Sequence, residues 1–351
     1  MAGFNLPQGK ALLVASRGSY ARHGLYRYVQ QDGAWVGTQL GTAVQLSALC
    51  HHPKLPVIYA TSRVGMEGEI HAWRVEGDKA TLLSEKSSEG AEPCHLTCDP
   101  AGRLLIVTNY TTSTLAVQNL AADGSFDGPL ELLPLPGLDR PGTEPDRQDA
   151  AHPHQAFFVG ETLFVIDLGA DLLREYTIDP NKRGAAALIA GRTTEIPAGT
   201  GPRHGVMLPD GRLAISGELG ATIVTGRAGA PASDWAVARS SGKSGSARTR
   251  HHRNYPGDIQ RSADGRYAYF ANRGHDTIST FDVSGPVPVL VNELDSTVFW
   301  PQHLLVTDTH LLIAGWDSST VVAMPLSDGV PGPAEPLFPV SGPGWLMLVD
   351  A

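Results

Sequence analysis

The sequence predicts an all-β protein folded as a seven-bladed β-propeller of four-stranded antiparallel blades. Three observations predict it. The 39 glycines and 26 prolines are spread along all 351 residues, as many short strands joined by tight turns require. One unit recurs at roughly 45–60 residue intervals, the range of propeller blades. The pieces left over at the two ends of the chain complete one more copy of that unit.

The unit is clearest at 201–219. Gly201-Pro202-Arg203-His204 reads as an opening turn and 206–208 as a short strand. Pro209-Asp210-Gly211 reads as a tight turn, 213–216 as the return strand, and Gly217-Glu218-Leu219 caps it. Gly takes the positive φ that such turns need. A hairpin brings its ends together, so Arg203, His204 and Glu218 are expected near one another.

The other copies follow in order. A loose one runs from Gln45 through His51-His52 to strands at 57–61 and 69–75. Pro93-Cys94-His95 leads to an Asp99–Arg103 turn, a strand at 104–108, an Asn109-Tyr110 tip and a strand at 114–120. Pro153-His154 leads to a strand at 163–166, an Asp167-Leu168-Gly169 tip and a strand at 172–178. Pro256-Gly257-Asp258 leads to Asp264-Gly265-Arg266, a strand at 267–271 and an Asn272-Arg273-Gly274 tip. Pro301-Gln302-His303 leads to a strand at 311–314 and a Gly315-Trp316-Asp317 tip. Residues 343–349 are an opening turn and inner strand with nothing after them, and 10–16 and 25–30 are strands with nothing before them. Joined in one blade, the termini close the ring and remove exposed sheet edges. Residues 1–351 are read as one domain.

Each inner strand begins at the end of the propeller to which the second strand returns. Opening turns and second-to-third strand tips therefore share one face. His52, His95, His154, Arg203, His204, Asp258 and His303 come to it from the openings, and Arg63, Asn109, Tyr110, Asp167, Glu218, Arg273 and Trp316 from the tips. Convergent polar groups in a concavity mark a binding site.

Composition removes other classes. Net charge is −9 with 18% charged residues, a poor match to a phosphate backbone, which needs clustered Lys and Arg. The one basic run, about 239–254, is Ser- and Gly-rich and reads as a mobile solvated loop, with a lid that attracts an anionic substrate as the sharper reading. No apolar run is long enough to span a bilayer. Cys50, Cys94 and Cys98 form no C-x-x-C pair, which fits free thiols in a reducing compartment. The expectation is a cytoplasmic protein, monomeric or homodimeric, with no nucleic-acid or membrane partner.

At these residues the chain resembles the lactonase family of seven-bladed propellers, whose best-known members are bacterial propeller-type 6-phosphogluconolactonases and fungal carboxymuconate lactonizing enzymes. The resemblance spans essentially the whole chain. Its sharpest motifs are Gly201-Pro202-Arg203-His204 with Glu218-Leu219, Pro153-His154, Asp264-Gly265-Arg266 through Asn272-Arg273-Gly274, and the closing Gly342-Pro343-Gly344-Trp345. The family's site of one His, two Arg and one Glu implies His154, Arg203, Arg273 and Glu218 as catalytic residues. The family usually has Asn before the Glu, and this chain has Gly217.

The resemblance implies hydrolysis of a small anionic sugar lactone, with 6-phosphogluconolactone first. Glu218 or His154 is then the base that accepts the water proton. Arg203 and Arg273 stabilise the oxyanion or grip a phosphate or carboxylate. His204, His95, Asn109, Asp167, His303 and Trp316 are the substrate-binding candidates. Against these stand plain structural readings: an Arg203–Glu218 ion pair, repeat-building histidines at 52, 95 and 303, and turn capping by Asn109 and Asp167. No cofactor is expected. A divalent metal held by His and carboxylates from separate blades is the mechanistic rival, without H-x-x-x-H or D-x-D spacing to support it. The functional rivals are a lactonizing cycloisomerase, a hydrolase of an unphosphorylated lactone, and a non-catalytic scaffold.

Overall fold

The computed structural model describes residues 3–18, 23–138, 141–242 and 253–351. The predicted mobile loop falls largely on 243–252, outside the described residues. Among the described residues, strands are arranged in seven antiparallel sheets, six of four strands and one of five. The chain divides into two compact units, Met1–Arg17 with Tyr26–Thr38 and Pro202–Ala351, and Gly18–Leu25 with Gln39–Gly201.

The Gln39–Gly201 unit holds three blades, with inner strands Ala48–His51, Pro93–Cys98 and Pro153–Val159. The other unit holds the blades opened by Pro202–Met207, Tyr255–Arg261 and Pro301–Val306. It also holds the inner strand of the blade shared by the termini, where Pro343–Asp350 pairs with Lys10–Ser16 in register from Lys10↔Asp350 to Ala15↔Trp345. The terminal pieces thus assemble as expected.

Second strands are the most deeply buried, because apolar side chains cover both of their faces. Leu104–Asn109 and Tyr267–Arg273 are buried along their whole length. Tyr269, Leu304, Leu311, Ile313 and Met324 pack in one such core, and Leu104, Ile106, Leu115, Val117 and Val165 in another. Each large apolar side chain contributes about 1.5–3 kcal/mol by leaving water. At the opposite end the Asp-Gly-Arg turns are self-capped: Asp210 Oδ1 accepts from Arg212 N–H at 2.9 Å and Asp264 Oδ1 from Arg266 N–H at 3.0 Å.

One expectation changes. The opening residues are not turns but the first residues of the inner strands. Proline tolerates a strand's first position because it has no N–H to offer the ladder. Just after it the register shifts, between Pro93 and His95, Pro153 and Gln155, Pro202 and His204, Pro256 and Ile259, and Pro301 and His303. Such a bulge leaves one residue without a cross-strand partner and re-aims its side chain. The openings therefore supply two classes of position. Cys94, His154, Arg203 and Gly257 directly follow the proline, while His95, His204, Asp258, His303 and Trp345 come one later.

The tips close onto these openings through backbone bonds, Tyr110 N–H to Glu92 O at 3.1 Å, Leu168 N–H to His152 O at 3.0 Å and Trp316 N–H to Trp300 O at 3.1 Å. Openings and tips thus meet at one end of each blade.

Candidate active site

A buried polar cluster lies within the unit that contains Pro202–Ala351. Arg203, re-aimed by the bulge, sends Nε to Glu218 Oε2 at 3.0 Å. Glu218 follows directly on Gly217, which pairs with Pro202, so the hairpin register itself sets this contact. The expectation drawn from the hairpin's ends holds. Arg273, last residue of the next blade's second strand, donates from Nη2 to the same Oε2 and from Nε to Tyr255 O at 3.0 Å. Its guanidinium also lies over the Trp300 ring, 5.3 Å from the centroid, a cation–π contact. Arg203, Glu218 and Arg273 are all buried.

Beside this trio runs a belt of residues from the second opening position. His204 Nδ1 lies 2.9 Å from Asp258 Oδ1, and His303 Nε2 lies 3.5 Å from Asp258 Oδ2. His303 stacks on Trp345 with centroids 3.9 Å apart. His204 Nε2 lies 3.3 Å from Arg203 Nη1, which joins belt to trio. Trp345 is only half-buried and is the apolar surface of this cluster.

Charges in the belt are settled by burial and neighbours. Burial, reinforced by Arg203, pushes His204 down to about 4 against the pull of Asp258. Burial and Arg203 also lower His303, again against Asp258. Burial would raise Asp258, but His303, His204 and the Leu304 N–H outweigh it and hold the carboxyl well below its ordinary range. The belt is thus an ionised carboxylate between two neutral imidazoles.

Among the substrate-binding candidates, His204 and His303 stand in this belt. Trp316 is half-buried elsewhere in the same unit, under the Arg17 guanidinium at 3.8 Å.

In the other unit, His154 also occupies a bulge. Its carbonyl accepts from Cys94 Sγ at 3.2 Å and Thr108 Oγ1 at 3.4 Å, which fixes its backbone. Its ring meets Tyr110 edge-on at 5.7 Å. Tyr110 stacks on His152 at 4.5 Å and takes a bond from Arg147 Nε at 3.2 Å, while His152 Nε2 lies 2.9 Å from Asp149 Oδ1. His95 is buried in the neighbouring blade, its carbonyl accepting from Thr108 Oγ1 at 3.2 Å.

Asn109 and Asp167, two further candidates, are held by the protein itself. Both end second strands and both are fully enclosed. Asn109 Nδ2 donates to Ser88 O and Thr114 Oγ1, each at 3.1 Å. Asp167 accepts from His152 N–H at 2.8 Å and from Arg174 Nη2 at 2.8 Å. These contacts tie both side chains into the tips.

Sequence reasoning placed Asp258 on the correct face but gave it no role, and passed over Trp345, Trp300 and Tyr255. The signal for Asp258 was its offset from the opening proline, the same as that of His204 and His303. Among the described residues no group of three or more His, Cys, Asp or Glu converges as a metal site, and no helix is long and apolar enough to cross a membrane.

This arrangement can be set beside known proteins. A protein from Bacillus subtilis named 6-phosphogluconolactonase is 25% identical over 281 residues, covering 75% of this chain and 74% of its own. A Lactobacillus plantarum crystal structure superposes with a TM-score of 0.82 at 22% identity, covering 97% of this chain and 99% of that one. The Pseudomonas aeruginosa periplasmic gluconolactonase does so with a TM-score of 0.79 at 20% identity, over 97% and 99%. The model of the family described as Lactonase, 7-bladed beta-propeller matches residues 11–346. The chain belongs to that family of lactonases.

Proposed function

We propose that this chain hydrolyses the cyclic ester of a sugar δ-lactone at the Arg203–Glu218–Arg273 cluster, and that the lactone is 6-phosphogluconolactone. One observation carries the reading: two buried guanidiniums converge on a single carboxylate oxygen. Glu218 takes a proton from water as the oxygen attacks the lactone carbonyl. Negative charge then passes from the carboxylate to the tetrahedral oxyanion, and both guanidiniums follow it. The cluster's total charge is constant throughout, so no uncompensated charge is buried at any stage. Collapse breaks the acyl–oxygen bond, the ring alkoxide recovers the proton from Glu218, and the new carboxylic acid gives its remaining proton to solvent water as it leaves as the carboxylate. Trp345 offers an apolar face to the sugar.

The phosphorylated substrate is supported by the name of the Bacillus subtilis relative. A cation for the phosphate stands near the cluster: exposed Arg253, 5.1 Å over Tyr255 and bonded at 3.1 Å to Leu219 O, next to Glu218. A second reading, an unphosphorylated aldonolactone, is favoured by the charge balance. Arg203 and Arg273 (+2) are matched by Glu218 and Asp258 (−2), a sum of zero. Gly217 leans the same way.

The test is hydrolysis of freshly generated 6-phosphogluconolactone and of glucono-δ-lactone, each against its spontaneous rate, with and without chelator. Chelator-resistant turnover of the phosphorylated lactone that collapses in Glu218→Gln is expected. Preference for glucono-δ-lactone would select the second reading. Collapse in His154→Ala but not in Glu218→Gln would move the base to His154. Spontaneous rates with both lactones would remove the hydrolase reading.

A further inference from the structure

We infer that Asp258 is a positioning residue for this site: it fixes the tautomer of His204 so that the imidazole presents a lone pair, not a proton, to Arg203. The inference rests on Arg203 acting as an oxyanion ligand.

Donors and acceptors along the belt alternate from His303 to Arg203. Leu346 N–H donates to His303 Nδ1 at 3.2 Å, so the proton of neutral His303 sits on Nε2 and faces Asp258. Asp258 Oδ2 also accepts from Leu304 N–H at 3.0 Å and Gln260 Nε2 at 3.2 Å. Its Oδ1 faces His204 Nδ1 at 2.9 Å. An ionised carboxylate has only lone pairs to offer, so His204 carries its proton on Nδ1. Nε2 is then an acceptor, and what it faces is Arg203 Nη1 at 3.3 Å. A guanidinium has donors only. Arg203 is therefore held from two sides, by its ion pair with Glu218 and by Nη1 on His204, which restrains its fork.

The groups facing His204 come from four strands: Arg203 beside it, Asp258, His303 and Trp345. A proton added at Nε2 would set N–H against N–H. Burial and the Arg203 charge together oppose that proton. His204 is not a base in this scheme. It acts through Arg203, and Asp258 acts through His204.

The architecture makes one substitution unusually informative. In Asp258→Asn the amide oxygen is drawn to the Oδ2 position, where the fixed Leu304 N–H demands an acceptor. The amide NH2 then falls at Oδ1 and donates to His204 Nδ1. That drives the His204 proton to Nε2 and turns a donor toward Arg203. The substitution removes one charge and almost no volume.

The expected result is a kcat lower by on the order of 100-fold, as for a misplaced catalytic group, with KM changed far less. Imidazole 15N–1H correlation spectra should show His204 protonated at Nδ1 in the wild type and at Nε2 in Asp258→Asn. Gln260→Ala, which also loses a contact to Asp258 but leaves the His204 bond, should keep both the rate and the tautomer. Wild-type kcat in Asp258→Asn, or a wild-type His204 protonated at Nε2, overturns the inference. If Asp258→Asn does not fold, the wild-type spectrum alone still decides the tautomer. Failure of the lactonase reading looks different, since neither lactone is turned over while the spectra report the relay unchanged.

Discussion

Arg203 and Arg273 reach the same oxygen of Glu218 from two neighbouring blades, one through Nε at 3.0 Å and the other through Nη2. Glu218 is 4% exposed, so its charge is compensated by the protein and little by water. Glu218→Gln would leave two buried guanidiniums with a weak neutral acceptor. Breaking a buried pair in this way costs about 3–5 kcal/mol. The expected outcome is a clear fall in Tm together with a loss of kcat on the order of 10²–10³. Denaturation and lactone hydrolysis on one preparation check both, and an unchanged rate in a destabilised protein would reduce the trio to an inter-blade tie.

Gly257 gives a gentler probe of the same geometry. A Cβ there would stand 3.0 Å from Arg273 Nε and 3.1 Å from its Cδ. The arginine stem must give way by a few tenths of an ångström, while both its partners remain. Gly257→Ala should lower kcat/KM by about tenfold, since small misplacements of catalytic groups are costly, with Tm nearly unchanged. Wild-type kinetics would mean that Arg273 does not need its observed position.

The contrast between these residues and Asn109 and Asp167 shows what a sequence can carry. The blades are legible because each repeat writes its own local signals, a proline at the opening and an Asp-Gly-Arg turn at the far end. The Arg203–Glu218 contact is legible because one hairpin joins them. Arg273 was placed on this face by its tip position, and the family resemblance added its catalytic role. Asp258 had no visible role because His204 lies 54 residues away, and the pairing arises only when successive blades pack. The contacts of Asn109 and Asp167 were not legible for a different reason. A tip position says where the backbone turns, not whether the side chain points inward, and at both residues it turns into the sheet. The two classes of opening position were hidden too, because a bulge changes facing without changing composition.

A structural role for Asp167 is testable. Its carboxylate holds Arg174 through both Nε and Nη2, at 3.1 and 2.8 Å, and caps His152 N–H and Ala170 N–H. Asp167→Asn should destabilise the fold by about 3–5 kcal/mol, the cost of breaking a buried pair. Below the melting transition, KM for the lactone should match the wild type. A raised KM in the folded variant would return Asp167 to the substrate site.

Acid should unfold this protein by way of its buried histidines. His204 and His71 are each pushed down to about 4, in both cases chiefly by burial, and His303 is lowered as well. His71 is held by Ser62 Oγ at 2.7 Å and stacks on Trp73 at 4.8 Å, with Glu69 pulling weakly the other way. In the unfolded chain each histidine titrates near 6.5. Between pH 6.5 and 4 the unfolded state therefore binds protons that the native state does not. Stability rises with pH wherever that is so. The contribution is fully present above pH 6.5 and is lost on acidification through that window, by up to about 1.4 kcal/mol per pH unit for each group. Asp258, held low, adds the same sign at still lower pH. Urea denaturation at pH 7, 5.5 and 4.5 should show a falling midpoint, and His71→Gln should flatten the slope by about one histidine's share. A midpoint independent of pH across this window would mean that these imidazoles titrate in the native state as they do in the unfolded chain, and the donor–acceptor order at His204 and Arg203 would then have to be redrawn.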